Sequence, residues 1–218
     1  MHHLDIHGPE GRLEALLDEV AHARFAALVC HPHPQMGGTM HNHATYRLAR
    51  AVRRAGGTAL RFNYRGVGRS AGSYDRGRGE VADARAVLAR LRQLAPDLPV
   101  LCCGFSFGAW IAVFVGAADP GVAGLLLAGL PVRAGDLDAL RAPERLRGLD
   151  RPLAAIQAEK DQFATPDEVR ELLAGSTGPR RLAAVAGATH LFTEDLAGLE
   201  RAAGESLEWL LGPGRGGA

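Results

Sequence analysis

Lysine is almost missing from this chain: of its 25 basic residues only Lys160 is a lysine, and the rest are arginines. With alanine and glycine abundant, that is the residue usage of GC-rich bacterial coding, a bias of composition with no functional content. An excess of one charge is missing too. Lys and Arg number 25 against 24 Asp and Glu, for a net charge of +1. This excludes a nucleic-acid footprint and an anionic-membrane footprint. No apolar run approaches the roughly 18 residues a membrane span needs, and Met1-His2-His3-Leu4-Asp5-Ile6 lacks the charged-then-apolar pattern of a signal peptide. A soluble cytoplasmic protein is the expectation. Cysteine is sparse: Cys30, Cys102 and Cys103 all fall in strand-like apolar runs. Neighbouring strand residues point to opposite faces and do not pair, so all three read as reduced packing residues, with Cys103 near enough to Ser106 to sense its surroundings.

What is present is enough apolar sequence, 47% of 218 residues, to bury one sizeable core. Residues 1–211 read as one α/β domain and 212–218 as a flexible glycine-rich tail. An opening hairpin spans Leu4 to Val20. Strands follow over Ala26–Cys30, Thr58–Tyr64, Pro99–Cys103, Val122–Leu130, Pro152–Ala158 and Arg181–Val185, alternating with helices over Ala44–Ala55, Val81–Leu94, Ala109–Ala118, Pro166–Ala174 and Leu196–Leu211. Alternation of this kind predicts a mostly parallel sheet with helices on both faces. The connection from Pro131 to Leu149 is too short for a large helical cap, which leaves an open site suited to small or soluble substrates.

The pentapeptide Gly104-Phe105-Ser106-Phe107-Gly108 sits between a buried strand and an apolar helix, the setting of a nucleophile elbow. A serine there is held on a strained turn with its hydroxyl above the sheet, and the glycines keep Cβ atoms out of a crowded bend. A serine hydroxyl needs a base to take its proton, and the base needs an acid to fix its tautomer. His190, in Gly187-Ala188-Thr189-His190-Leu191-Phe192, is the only histidine after Ser106, the other eight lying within the first 43 residues. For the acid, Asp161 follows a buried strand in Glu159-Lys160-Asp161-Gln162. It is favoured by position over Glu159, Asp167, Glu194 and Asp195, which read as loop or helix-start charges.

An oxyanion intermediate needs two aimed N–H groups. Phe107, the residue after the serine, supplies one. The loop His31-Pro32-His33-Pro34-Gln35-Met36-Gly37-Gly38 supplies the other, and since proline carries no N–H the choice falls on His33. Phe105 and Phe107, flanking Ser106, either pack into the core or face an acyl pocket. His31, His33, His41 and His43 raise the question of a metal, but their spacing matches no common zinc pattern and no Asp, Glu or Cys lies among them. The expectation is no metal, with His41 and His43 helping Asn42 to start a helix. Gly66-Val67-Gly68-Arg69-Ser70-Ala71 nominally fits a dinucleotide fingerprint, yet a turn follows it where a helix would have to begin. These glycines read as a compact loop walling the site, with Arg65 anchoring it through an ion pair.

Together these segments resemble the α/β-hydrolase superfamily and, more narrowly, small lidless bacterial serine esterases related to dienelactone hydrolases. The resemblance rests on His31-Pro32 with Gly37-Gly38-Thr39-Met40-His41-Asn42, Phe62-Asn63-Tyr64-Arg65-Gly66-Val67-Gly68-Arg69-Ser70, the Ser106 pentapeptide, Lys160-Asp161 and Gly187 to Phe192, in order along nearly the whole chain. It implies an eight-stranded, mostly parallel sheet without a large cap, a triad of Ser106, Asp161 and His190, and cofactor-free hydrolysis of small carboxylic esters. Dienelactone hydrolases proper carry cysteine where this chain has Ser106, so their own activity is not implied. A thioesterase, peptidase or lactonase would use the same triad. The alternative from another class is a catalytically silent binding protein on the same fold. The expected partner is a small ester. An apolar edge strand or the closing helix would also support a homodimer.

Overall fold

The computed structural model describes residues 1–133 and 142–212. Eight strands form one sheet: β1 (His2–Gly8), β2 (Gly11–Asp18), β3 (Phe25–Cys30), β4 (Gly57–Phe62), β5 (Val100–Phe105), β6 (Val122–Ala128), β7 (Leu153–Ala158) and β8 (Arg180–Val185). Their spatial order is β1-β2-β4-β3-β5-β6-β7-β8. The β1–β2 and β2–β4 pairs are antiparallel, and every pairing from β4 through β8 is parallel. The helices are α1 (His43–Arg54), α2 (Arg78–Leu94), α3 (Phe107–Ala118), α4 (Pro143–Leu146), α5 (Pro166–Leu173) and α6 (Leu196–Leu211).

Each predicted strand and helix is present to within a few residues. The sheet is the expected α/β-hydrolase arrangement, and among the described residues no large cap domain interrupts it. Two short elements went unread, α4 and a 3₁₀ turn at Pro34–Met36. The strand read as Val122–Leu130 ends at Ala128 because Gly129 turns into a left-handed conformation, φ +53°. The expected tail lies outside the described residues apart from Gly212, as does part of the Pro131–Leu149 connection.

Strands β3, β5 and β7 are buried along their whole length because helices cover both faces of the sheet. Two buried clusters result. One joins α2, α3, α4 and α5 to one face of the sheet, and the other joins α1 and α6 to the opposite face. Cys102 belongs to the first cluster and Cys103 to the second, as alternation along a strand requires. All three cysteines are free and buried, and burial pushes the Cys30 thiol up to about 12. Helix α3 is apolar nearly all round because sheet and neighbouring helices enclose it, and Trp110 Nε1 donates to the Pro131 carbonyl at 2.9 Å.

The loop after β4 is fastened from beneath. The Glu14 carboxylate accepts from Asn63 Nδ2, Arg69 N and Arg69 Nε at 2.8–2.9 Å, and these bonds outweigh its burial to hold its pKa at about 2. Arg65 makes the expected anchor, a bidentate pair with buried Asp83 on α2 at 2.8 and 3.0 Å. Gly66 and Gly68 serve turns with φ of +72° and +56°, and α2 does not begin until Arg78.

The two edges of the sheet are β1 and β8. β8 opens with two arginines. Arg180 folds back onto the carbonyls of Leu173, Ala174 and Ser176, and Arg181 reaches Glu205 at 3.1 Å.

Candidate active site

The parallel strands bring their C-terminal ends to one edge of the sheet, where the loops after β3, β4, β5, β6, β7 and β8 meet. Between β5 and α3 only Ser106 stands outside both elements, and it makes the reversal alone with φ 56° and ψ −121°. For a residue bearing a Cβ this costs on the order of 1–3 kcal/mol, supplied by the surrounding packing. The Ser106 N–H donates to the Ala128 carbonyl at 2.9 Å and its carbonyl accepts from Ala109 N at 2.8 Å, which pins the turn. A Cβ on Gly104 would collide with the Gly108 carbonyl, and one on Gly108 would collide with the carbonyls of Cys30 and His31. Only glycine lets the strand, the helix and the end of β3 come this close.

His190 Nε2 lies 2.8 Å from Ser106 Oγ, and His190 Nδ1 lies 2.7 Å from Asp161 Oδ2. A carboxylate only accepts, so Nδ1 carries the proton in the neutral ring and Nε2 is left to accept from the serine. All three side chains are over nine-tenths buried. The imidazole is gripped on its faces as well: the Phe163 ring meets it edge-on at 4.6 Å and Phe105 lies at 5.4 Å. Its loop is shaped by Phe192, buried at a positive φ of 56°, and by the Glu194 carboxylate, which accepts from Thr189 N and Oγ1.

Sequence reasoning missed Gln157 on β7, a fully buried amide that joins three segments. Its Nε2 donates to Asp161 Oδ2 at 2.8 Å and to the Ala164 carbonyl at 2.9 Å, while its Oε1 accepts from Leu130 N at 3.0 Å. Asp161 Oδ1 accepts from Phe163 N at 2.8 Å. The carboxylate is thus held by three donors and faces His190 in a fixed orientation. The competing acids are occupied elsewhere: Glu159 accepts from Gly187 N at 2.6 Å, Glu194 braces Thr189, Asp195 caps α6 through Gly198 N at 2.7 Å, and Asp167 pairs with Arg170.

Phe107 is the first residue of α3, so its N–H is one of those a helix leaves without an intrahelical acceptor, at the positive end of the helix dipole. The Pro32–His33 peptide is oriented by buried His31, whose Nδ1 donates to the Pro32 carbonyl at 2.7 Å and whose Nε2 accepts from Tyr64 N at 3.2 Å. In a planar trans peptide the N–H points opposite to the carbonyl, so His33 N–H is turned away from His31. The His33 ring packs edge-on against Phe107 at 4.9 Å, and its Nε2 meets Tyr74 Oη at 2.9 Å. Asn63 Oδ1 accepts from Met40 N at 2.8 Å, a second tie between the loops after β3 and β4. Phe105 and Phe107 are both fully buried, the first against His190 and Phe192, the second against His33, Tyr64 and Tyr74.

The histidine loop divides into structural roles. His31 spends both ring nitrogens on the bonds just described, His33 adds to its Tyr74 contact a bond accepted at Nδ1 from Gln35 N at 3.2 Å, and burial lowers the His31 pKa to about 3. Asn42 caps α1 through Ala44 N and Thr45 N, with His43 opening the helix. Among the described residues no three His, Cys, Asp or Glu side chains gather as metal ligands, and no helix is long and apolar enough to cross a membrane.

Known proteins share this architecture. A relative from Rickettsia prowazekii, the uncharacterized protein RP471, is 37% identical over 171 residues, covering 76% of this chain and 69% of its own length. An alpha-beta serine hydrolase homologue from Coxiella burnetii superposes with a TM-score of 0.84 at 31% identity, covering 94% of this chain and 97% of that one. XC6422 from Xanthomonas campestris, described as an a/b serine hydrolase without a lid, gives a TM-score of 0.81 at 32% identity, with 95% and 94% covered. Residues 26–202 match the family described as an alpha/beta hydrolase domain, a span from β3 into α6 that takes in Ser106, Asp161 and His190. The chain belongs to the alpha/beta hydrolase family.

Proposed function

We propose that the protein is a serine hydrolase of small carboxylic esters, working through an acyl-enzyme on Ser106. The observation that carries this reading is the unbroken line Ser106 Oγ, His190 Nε2, His190 Nδ1, Asp161 Oδ2, with contacts of 2.8 and 2.7 Å. His190 takes the hydroxyl proton as Ser106 Oγ attacks the ester carbonyl, and the Asp161 carboxylate holds the tautomer and balances the imidazolium. The N–H groups of Phe107 and His33 stabilise the tetrahedral oxyanion. His190 then protonates the departing alkoxide. Water, activated by the same ring, attacks the acyl carbonyl and returns the proton to Ser106 as the acid leaves.

No cofactor enters these steps. The lack of a large cap favours short, soluble esters over long chains that need a lid to bury them. Thioesters, peptides and lactones call on the same groups, so acyl and leaving-group preference rests with the walls of the cleft.

The test pairs a fluorophosphonate probe with p-nitrophenyl esters of graded acyl length. Wild type should be labelled and should turn over the shorter esters. Ser106→Ala and His190→Ala should lose both while keeping the native far-UV spectrum. A folded wild type that is neither labelled nor active would assign the fold to binding instead.

A further inference from the structure

Helices α1 and α6 run side by side on one face of the sheet, and the seam between them is a groove of about 610 Å³ that includes none of the triad residues. Small residues line part of it, among them Ala51, Ala197 and Gly204. Its walls are guanidinium groups. Arg47, Arg50 and Arg54 lie along one side of α1 at spacings of three and four residues, and Arg201 comes from α6.

One carboxylate organises this cluster. Glu200, whose side chain is only 7% exposed, pairs with Arg47 through Oε2 at 2.8 Å and with Arg54 and Arg50 through Oε1 at 2.7 and 3.3 Å. Glu208, also in the groove, is balanced by Arg24 at 2.8 Å. Four arginines against one free-standing carboxylate leave three positive charges facing the groove. One arginine would suffice to clamp α1 to α6. Two more around the same carboxylate add like-charge repulsion with little return in stability at a partly exposed site. What the arrangement does achieve is order: Glu200 holds three guanidiniums in place, so a ligand need not bear the cost of immobilising them. Only Arg47 donates a hydrogen bond to Glu200, while Arg50 and Arg54 lie within ion-pair distance of Oε1, so all three retain N–H groups for an anion.

Gly204 supplies an independent observation. It lies in the middle of α6, where glycine lowers helix stability relative to alanine, yet a Cβ there would meet nothing within 4 Å. No neighbour demands the glycine; its effect is to leave the groove open there.

We propose that the α1–α6 groove binds a small molecule bearing a pyrophosphate group. Planar guanidinium forks match phosphoryl oxygens two at a time, and the two to three negative charges of a diphosphate balance the three in excess. The volume suits a metabolite-sized ligand. An extended nucleic acid is disfavoured by the near-zero net charge of the chain as a whole.

The experiment is a thermal-shift and calorimetric titration with inorganic pyrophosphate at about 0.15 M NaCl, where weak surface attraction is screened, alongside sulfate at matched ionic strength and ADP. Pyrophosphate should bind saturably and raise Tm more than sulfate does, and equally so in Ser106→Ala. Gly204→Glu, which places a carboxylate in the groove on a helix-compatible side chain, should abolish the binding while leaving ester turnover intact. Arg50→Ala should weaken it at least tenfold. ADP matching pyrophosphate would assign the diphosphate as the recognised unit; ADP binding more tightly would extend the site to a nucleotide. A pyrophosphate response no greater than that of sulfate, or one that survives in folded Gly204→Glu, overturns the proposal.

Discussion

Gln157 Nε2 and His190 Nδ1 donate to the same oxygen, Asp161 Oδ2, at 2.8 and 2.7 Å. One donor is the group the acid must steer, and the other is a buried amide that also holds the Leu130 N–H and the Ala164 carbonyl. In the proposed mechanism Gln157 is a positioning residue: it sets where the carboxylate stands and so how the imidazole meets Ser106. Gln157→Leu should lower kcat about tenfold or more, since a hydrogen bond to a charged group contributes roughly 1.5–3 kcal/mol. KM should move much less. Steady-state kinetics on the variant, with near-UV circular dichroism to confirm packing, check this; equal losses in KM and kcat would assign Gln157 to substrate binding.

Asp161 and Glu159 are separated by one residue and have different tasks. Asp161→Asn should cost on the order of 10⁴ in kcat, because an amide at that position favours the wrong tautomer of His190. Glu159→Gln removes only the carboxylate that braces Gly187 N and should stay within a few-fold of wild type. Parallel ester assays decide it: a reversed order of loss would move the acid to Glu159.

His31 gives the fold a pH dependence with a definite sign. Its folded pKa, lowered by burial to about 3, lies below the ordinary histidine value of about 6.5. Between those values the unfolded chain binds a proton that the folded chain refuses, so stability is complete above about pH 6.5 and falls as the pH drops. Denaturation midpoints at pH 7.5 and 5 should therefore differ more in wild type than in His31→Gln. The same variant loosens the Pro32–His33 peptide, so its kcat at pH 7.5 should fall as well.

Arg65 and Asp83 form a buried pair that can be dismantled on one side or both. Asp83→Leu alone strands the guanidinium and should cost about 3–5 kcal/mol. Combining it with Arg65→Met should recover much of that, because the cost of one partner's loss is largely the charge left behind. Urea unfolding of the single and double variants measures the recovery.

Much of this molecule was legible before its structure. The element order followed from apolar periodicity, and the meeting of Ser106, Asp161 and His190 in space from a motif in its strand-to-helix setting followed by an acid and a lone histidine. The groups around the triad were not. Gln157 sits in Leu153-Ala154-Ala155-Ile156-Gln157-Ala158, where its only signal is that it is the one polar residue of a strand buried on both faces. Such a residue must be satisfied by neighbours, but the chain does not say which. His31 was visible as a loop histidine, while its hold on Tyr64 N depends on β3 and β4 lying side by side. The charge count was misleading because it averages over the whole chain: Arg47, Arg50, Arg53 and Arg54 stand close together in sequence, and the fold brings Arg201 of α6 beside three of them in one groove.

The two arginines that open β8 bear on a hazard of any open sheet. An uncovered last strand offers a ladder of N–H and C=O groups to which another chain can attach, and accretion of that kind leads to fibrils. A second molecule adding its own β8 in parallel register, the pairing of a growing fibril, would bring a pair of guanidiniums against a pair of guanidiniums. It would also have to pull Arg180 away from the carbonyls on which it rests. The margin of the sheet thus carries its own deterrent against templated growth, at a site far along the chain from Ser106 and independent of the chemistry there.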